Sequence, residues 1–211
     1  MNLDEKYTLE CARVNKLVGS SGVVLCDTNG GSMTWKLEKQ TVEVVRFWGD
    51  NSITVGMHAY NDCGMDVVNS ICAVRAGAKM VQGTVNDIVE RTWNSNLFSI
   101  IPSLLLHVSA GMKCASNLCQ ITLLSCLMNQ LLNRGTNSAA PFVGILVFAH
   151  EGGLHVNALK KDPFSYQHII PELVGNKKRI LITKLSGRQN IQDKIRDAGA
   201  TLGEDTIIFA Q

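Results

Sequence analysis

The chain has 211 residues, of which 45% are hydrophobic and 18% are charged, and its formal net charge is +2. This length and composition exclude a disordered tail and allow one domain, or slightly more, with a core of substantial size. The nearly balanced charge argues against a nucleic-acid-binding surface, which would need a strongly basic face.

Three short apolar runs predict β-strands, and a turn and a helical pattern follow each of them. The runs cover residues 23–26, 53–57 and 79–83, and a helix over 4–18 precedes the first. Val42, Val45 and Trp48 are the predicted buried face of the next helix, and an apolar stripe over 67–74 ends at Gly77. Alternating strands and helices with Val/Ile-rich strands predict a parallel α/β sheet.

The second half of the chain has a different pattern. Helices are predicted over 97–107 and 115–133, and a Gly/Asn/Ser/Pro-rich stretch at 134–141 marks a boundary. Further short helices are predicted over 153–161 and 188–198. We therefore expect an α/β domain over 1–134 and a mainly helical C-terminal subdomain over 135–211.

No membrane span or signal peptide is visible in the sequence. The apolar stretches around 100–108 and 141–149 are too short to cross a bilayer, and the N-terminus lacks an apolar signal region. Seven cysteines stand at irregular spacings with no Cys-x-x-Cys pair. We expect reduced cysteines, mostly packed as small hydrophobic residues, in a cytoplasmic protein that binds neither nucleic acid nor membrane.

Polar residues follow each predicted strand, at 27–31, 58–62 and 84–87. Because reactive groups gather at the carboxyl ends of parallel strands, these residues are the candidate site. His58 and Tyr60 are two residues apart and should point to one face, but a chelating His-x-His pair would need a second imidazole. His58 could equally be a hydrogen-bonded structural histidine, and Asn94 or Asn96 could cap the following helix.

The residues 150–155, His-Glu-Gly-Gly-Leu-His, resemble a zinc motif only superficially. Two glycines interrupt a helix here, and the histidines are five residues apart rather than four. A zinc protease is therefore not indicated.

Six motifs occur in one order, and together they resemble the 2-isopropylmalate synthase and homocitrate synthase family, in its citramalate synthase branch. They are LCDTNGG (25–31), HAYNDCG (58–64), GTVNDIVERTWNSNLFSIIP (83–102), FAHEGGLHV (148–156), PFSYQHIIPELVGNKKRIL (163–181) and LSGRQNI (185–191).

The resemblance implies a (β/α)8 TIM barrel followed by a mainly helical segment that reaches the partner's barrel in a dimer. Residues 1–22 lack the Arg-Asp-Gly of the family's first strand. The expected fold is a partial barrel holding the last three βα units, because a closed barrel takes about 250 residues. We therefore expect a homodimer or association with a full-length subunit.

The resemblance also implies an acyltransferase that condenses acetyl-CoA with pyruvate to give citramalate, a precursor of isoleucine, with the help of a divalent metal (Mn, Mg or Zn). Three alternatives stay open. They are the sibling 2-isopropylmalate synthase of leucine biosynthesis, a truncated non-catalytic remnant, and an unrelated α/β binding module.

Matched motif by motif, the resemblance assigns roles to individual residues. The metal ligands would be His58 and Asn94, with Tyr60 at the position of a family histidine; Thr28 would bind the substrate carboxylate; and His155, Tyr166 and Glu90 would be catalytic or supporting. A neutral phenol is a weaker ligand than imidazole. Trp93 also replaces a family glycine beside Asn94. We therefore expect this chain alone to bind metal weakly or not at all.

Overall fold

The computed structural model of the chain consists of two compact units, Met1–Met112 and Lys113–Gln211. It describes residues 5–48, 53–86, 88, 94–150, 158, 161–181, 195 and 199. Most of the helices predicted over 153–161 and 188–198 lie outside these residues. The boundary expected between 134 and 135 stays a prediction.

The first unit alternates helices and strands, as the apolar runs predicted. Its elements are α1 (Glu5–Leu17), β1 (Gly22–Asp27), α2 (Thr34–Trp48), β2 (Thr54–Ala59), α3 (Asp66–Arg75), β3 (Met80–Gln82) and α4 (Leu97–Leu106). All three predicted strands and the predicted helices of this half are confirmed, with shifts of a few residues at their ends.

The three strands form a parallel sheet in the order β1-β2-β3. Successive side chains of a strand point to opposite faces. Leu25 and Met57 are aligned and buried against the helices. Cys26, His58 and Gln82 are aligned in the same way, so they lie on the other face of the sheet. The alternation of side chains along β2 therefore places His58 on the face that the helices do not cover.

The core between sheet and helices is built mainly from α2 and β2. Leu37, Val44 and Trp48 of α2 are at most 1% exposed and belong to one hydrophobic cluster with Met57. The predicted face of α2 is therefore confirmed in part: Trp48 is buried and Val45 is half-buried against the cluster, but the fully buried line runs through Leu37 and Val44. Steps of three residues turn progressively around a helix, whereas the observed spacings of seven and four keep to one face.

Helix α3 buries its polar side chains rather than its apolar stripe. Val68 is 48% exposed, whereas the buried residues are Asp66, Asn69, Ser70 and Ala73. The rest of the apolar stripe is only half-buried, because the side of α3 that meets the sheet and its loops makes hydrogen bonds there. Small polar side chains can pack closely and satisfy those bonds at the same time.

The second unit is less regular than the first. A 3-10 helix (Ala115–Gln120) leads into α5 (Ile121–Leu131), and the short strands β4 (Ala149–His150) and β5 (Arg179–Ile180) pair in parallel. The helix predicted over 115–133 is thus confirmed in two pieces. Asn176 is 3% exposed and donates to the carbonyl oxygens of Phe142 and Gly144 at 3.0 and 2.9 Å. The side-chain amide of Asn176 therefore connects the ELVGN part (172–176) of the fifth motif to the loop before β4.

All seven cysteines are free thiols, and five of them are exposed: Cys11, Cys26, Cys63, Cys119 and Cys126. The expectation that most would be packed as small hydrophobic residues is wrong, because apolar sequence neighbours do not decide which side of a helix or strand faces solvent. Burial raises the pKa of the partly buried Cys72 thiol.

Within the described part of the chain, every helix is too short or too polar to cross a membrane.

Candidate functional site

The candidate site lies where β1 and β2 end, on the sheet face that carries His58. Tyr60 follows β2, and its ring centroid is 5.2 Å from that of His58, with the two rings inclined by 64°. The prediction that these two side chains share a face is confirmed. The edge of one ring therefore meets the face of the other, which is a favourable geometry for two aromatic rings.

Asn94 approaches the same histidine from a separate segment. Its Nδ2 lies 2.9 Å from His58 Nε2, and the backbones of Tyr60 and Asn94 form an antiparallel bridge. Asn94 is 6% exposed, whereas His58 Nδ1 is buried and has no hydrogen-bond partner among the described residues. Asn96 rather than Asn94 caps α4, since its Oδ1 accepts from Phe98 N at 2.9 Å. The Asn94 side chain instead contacts His58.

His58 and Asn94 could each offer one donor atom to a cation, but not through the two atoms that now meet. The 2.9 Å contact between Asn94 Nδ2 and His58 Nε2 is a hydrogen bond, and an amide nitrogen has no lone pair for a metal, so Asn94 would have to turn its Oδ1 towards the ion. The rest of the ligand set does not fit. Among the described residues, no group of three His, Cys, Asp or Glu side chains could hold an ion. Two donors are fewer than the three that an open catalytic site uses.

The loop after β1 is held by a buried carboxylate. Asp27 is 3% exposed and accepts hydrogen bonds from Ser32 Oγ at 2.7 Å and Ser32 N at 3.3 Å. Asn69 of α3 donates to Ser32 O at 2.9 Å and accepts from Thr34 Oγ1 at 2.9 Å. The exposed Thr28, the predicted substrate-binding residue, stands at the start of this braced loop.

Gly30 brings the loop after β1 against the loop after β2. Its φ is +67°, and a Cβ there would collide with the side chain of Asp62. Gly64 has a similar φ of +71°, but a Cβ there would meet nothing within 4 Å. An alanine at either position would therefore have backbone strain, but only an alanine at Gly30 would also collide with a side chain.

We expect Gly64→Ala to lower the free energy of unfolding by about 1 kcal/mol, the cost of a left-handed alanine. Gly30→Ala should cost about 1 kcal/mol more, because the new methyl group also overpacks the site. Urea denaturation of both variants measures the difference. Equal losses would contradict a close contact between the two loops.

The described part of the first unit does not contain three of the predicted site residues. Glu90 and His155 lie outside the described residues, as does Trp93. Tyr166 belongs to the second unit, where it follows a 3-10 helix (Pro163–Ser165) and is 48% exposed. Their catalytic roles stay predictions.

Sequence reasoning missed several polar residues that support the site. Asn69, Ser70 and Ser95 are each 0% exposed. The available signal was the spacing of small polar residues along α3, which put Asp66, Asn69 and Ser70 on one helical face. The apolar stripe beside them was the stronger pattern and pointed to the wrong face.

Parallel strands joined by helices, with polar residues at the strand ends, are typical of the α/β barrel class. A family model described as HMGL-like matches residues 2–127, and one described as homocitrate synthase post-HMGL domain-like matches residues 142–209. The chain belongs to the HMGL-like family, and the first unit is part of its TIM-barrel domain.

The chain is also similar to curated relatives from several organisms. It is 39% identical to the (R)-citramalate synthase of Synechocystis over 93% of this chain and 37% of that protein, and 41% identical to the one of Aquifex aeolicus over 92% and 36%. A probable 2-isopropylmalate synthase of Methanopyrus kandleri is 32% identical over 97% and 40%. The chain therefore spans little more than a third of the length of these relatives.

Solved structures agree on the fold. An HMG-CoA lyase of Acinetobacter baumannii matches with a TM-score of 0.55 and 14% identity, over 68% of this chain and 46% of that one. The carboxyl transferase domain of Rhizobium etli pyruvate carboxylase matches with a TM-score of 0.52 and 18% identity, over 77% and 27%. At these identities the likeness concerns the fold alone.

Proposed function

We propose that the chain carries out, or contributes to, the acetyl-CoA-dependent acyl transfer of citramalate synthases, in the cytoplasm. The observation that carries this proposal is the contact of His58 with Asn94 at the carboxyl end of β2, which brings together the two residues that the family resemblance assigns as metal ligands. Identities of 38–41% to several (R)-citramalate synthases, over 90–95% of the chain, support it.

The proposed reaction joins acetyl-CoA and pyruvate. A proton leaves the acetyl methyl group, and the resulting carbanion forms a carbon–carbon bond to the keto carbon of pyruvate, whose oxygen takes up a proton. Water then cleaves the thioester, which releases citramalate and the free thiol of coenzyme A. A divalent cation would polarise the keto oxygen when bound.

The roles of this chain's residues follow from their positions. Thr28 stands on the loop that Asp27, Ser32 and Asn69 brace, so its hydroxyl is held at the end of β1, where it could donate to the substrate carboxylate. Glu90, His155 and Tyr166 are proposed to support the ligands and to move protons. A homodimer, or a complex with a full-length subunit, would bring the second unit to a barrel.

Release of free thiol tests the proposal directly. The chain is incubated with acetyl-CoA, pyruvate and Mn²⁺ or Mg²⁺, and a thiol reagent reports coenzyme A. We expect release that depends on metal and pyruvate and that His58→Ala abolishes. His107→Ala should leave it unchanged, because His107 is exposed at the far end of α4.

Two outcomes would revise the proposal. Faster release with 2-oxoisovalerate than with pyruvate would favour 2-isopropylmalate synthase. No release above the blank, with any of these cations, would contradict catalysis by this chain.

A second candidate is a non-catalytic subunit that pairs with a full-length synthase. The incomplete donor set favours it, since the described residues contribute two donors and Tyr60 stands where the family has a histidine. This candidate predicts no stoichiometric metal in the purified chain and a changed thiol-release rate when the chain is added to a full-length citramalate synthase. One tightly held ion per chain, measured by elemental analysis, would contradict it.

A further inference from the structure

Two isolated backbone bridges hold the segment that carries Asn94 beside the sheet. One is antiparallel, from Asn94 to Tyr60, and the other is parallel, from Asn96 to Thr84. Neither bridge belongs to a regular strand. Ser95 stands between the two, so its contacts anchor the segment and with it the 2.9 Å contact between Asn94 and His58.

Ser95 provides that anchor with both its backbone and its side chain. Its N–H donates to Ala59 O at 3.2 Å, and its carbonyl oxygen accepts from Thr84 N at 3.0 Å. Its hydroxyl lies 2.8 Å from Ser70 Oγ, 3.1 Å from Asp66 O and 3.4 Å from Ala59 O. Ser95 thus connects the segment to β2, to α3 and to the residues after β3.

The Ser95 hydroxyl combines two kinds of hydrogen bond. A serine hydroxyl has one proton to donate, and the nearest carbonyl oxygen is that of Asp66. In the 2.8 Å contact with Ser70 Oγ, either hydroxyl can be the donor. Ser70 and Ser95 are both 0% exposed, so water cannot replace either bond.

We propose that the buried Ser70–Ser95 hydroxyl pair is the positioning element of the His58–Asn94 pair. Neighbouring residues in an extended segment point to opposite sides. With Ser95 fixed to the first turn of α3, Asn94 is held on the side of His58. The meaning of this arrangement for catalysis rests on the proposed function, but the arrangement itself does not.

The test uses nuclear magnetic resonance of the ¹⁵N-labelled chain without metal or substrate. The readouts are the cross-peak between the Asn94 side-chain amide and the His58 ring, and the ¹⁵N shift of His58 Nε2. Ser95→Ala keeps the backbone bonds of Ser95 but loses every hydroxyl bond, so it should strongly weaken the cross-peak and move the shift towards that of a free imidazole. Ser70→Ala should weaken the cross-peak, because Ser95 keeps its bond to Asp66 O.

Ser103→Ala is the matched control. Its hydroxyl donates to Ser99 O at 2.7 Å within α4, a bond that involves neither Asn94 nor His58. All three variants lose a hydroxyl hydrogen bond, and urea denaturation of each separates a general loss of stability from a local change at His58. We expect the control to keep both the cross-peak and the His58 Nε2 shift of the parent chain.

An unchanged cross-peak in folded Ser95→Ala would overturn the proposal. If circular dichroism shows that Ser95→Ala does not fold, Ser70→Ala decides: a weakened cross-peak supports the proposal and an unchanged one overturns it. Because neither readout needs turnover, a negative thiol-release assay refutes the proposed function and leaves this result standing.

Discussion

Replacing Tyr60 by histidine is expected to raise the affinity of the chain for Mn²⁺ or Zn²⁺ by about 10- to 100-fold. Removing a residue that only hydrogen-bonds to a metal ligand changes metal affinity by about that much, and a new ligand should have at least the same effect. The new imidazole would stand two residues from His58 on the same face, where the Tyr60 ring now lies with its centroid 5.2 Å away. With Asn94 it would complete three donors around one position. Imidazole binds both ions more strongly than a neutral phenol does.

Isothermal titration with each metal salt measures this change. Tyr60→Phe is the matched control, because it keeps the aromatic ring beside His58 and adds no nitrogen donor. We expect no gain for Tyr60→Phe. If Tyr60→His binds no better than the parent chain, then His58 and Asn94 do not share a cation at this position.

Asn69→Ala is expected to lower the free energy of unfolding by about 3 kcal/mol. Asn69 is 0% exposed, and its amide makes two hydrogen bonds of 2.9 Å, one to Ser32 O and one from Thr34 Oγ1. The alanine variant leaves both partners without Asn69, and each buried group that loses its partner costs about 1–3 kcal/mol. Urea denaturation followed by circular dichroism gives the value.

The same variant should loosen the loop that carries Thr28. Faster amide hydrogen exchange over residues 28–32, with unchanged exchange in α2, is the expected local result. Asn15→Ala is the control, because Asn15 is exposed and its side chain makes two local bonds, to Cys11 O at 2.8 Å and from Ser20 Oγ at 3.5 Å, away from the loop of Thr28. A loss below about 0.5 kcal/mol, as for an ordinary surface substitution, would show that Asn69 does not brace the loop.

The order of strands and helices could be predicted because each run has a local cause. Val23, Val24 and Leu25 form a β-branched and apolar run, and the polar turn after it ends the strand. The buried faces of α2 and α3 could not be predicted in the same way. Several faces of a helix can look apolar in sequence, and only the neighbouring sheet selects the one that is buried.

The candidate site was predicted in part. His58 and Tyr60 were expected to be neighbours because two residues on a strand share a face, and the rings do meet. The approach of Asn94 to His58 joins positions 36 residues apart, for which strand periodicity has no rule. The resemblance to a known family suggested the pair, and the distance between the two side chains came from the structure.

The amino-acid sequence by itself determined the parallel α/β pattern, the polar strand ends and the family, because these depend on local periodicity and on colinear motifs. Only the tertiary structure decided that Ser95 contacts Ser70, that Asn69 braces the loop of Thr28, and that Asn96 rather than Asn94 caps α4. The physical reason is that a buried polar group takes whichever partner folding brings within 3 Å or so. That choice depends on the packing of distant segments.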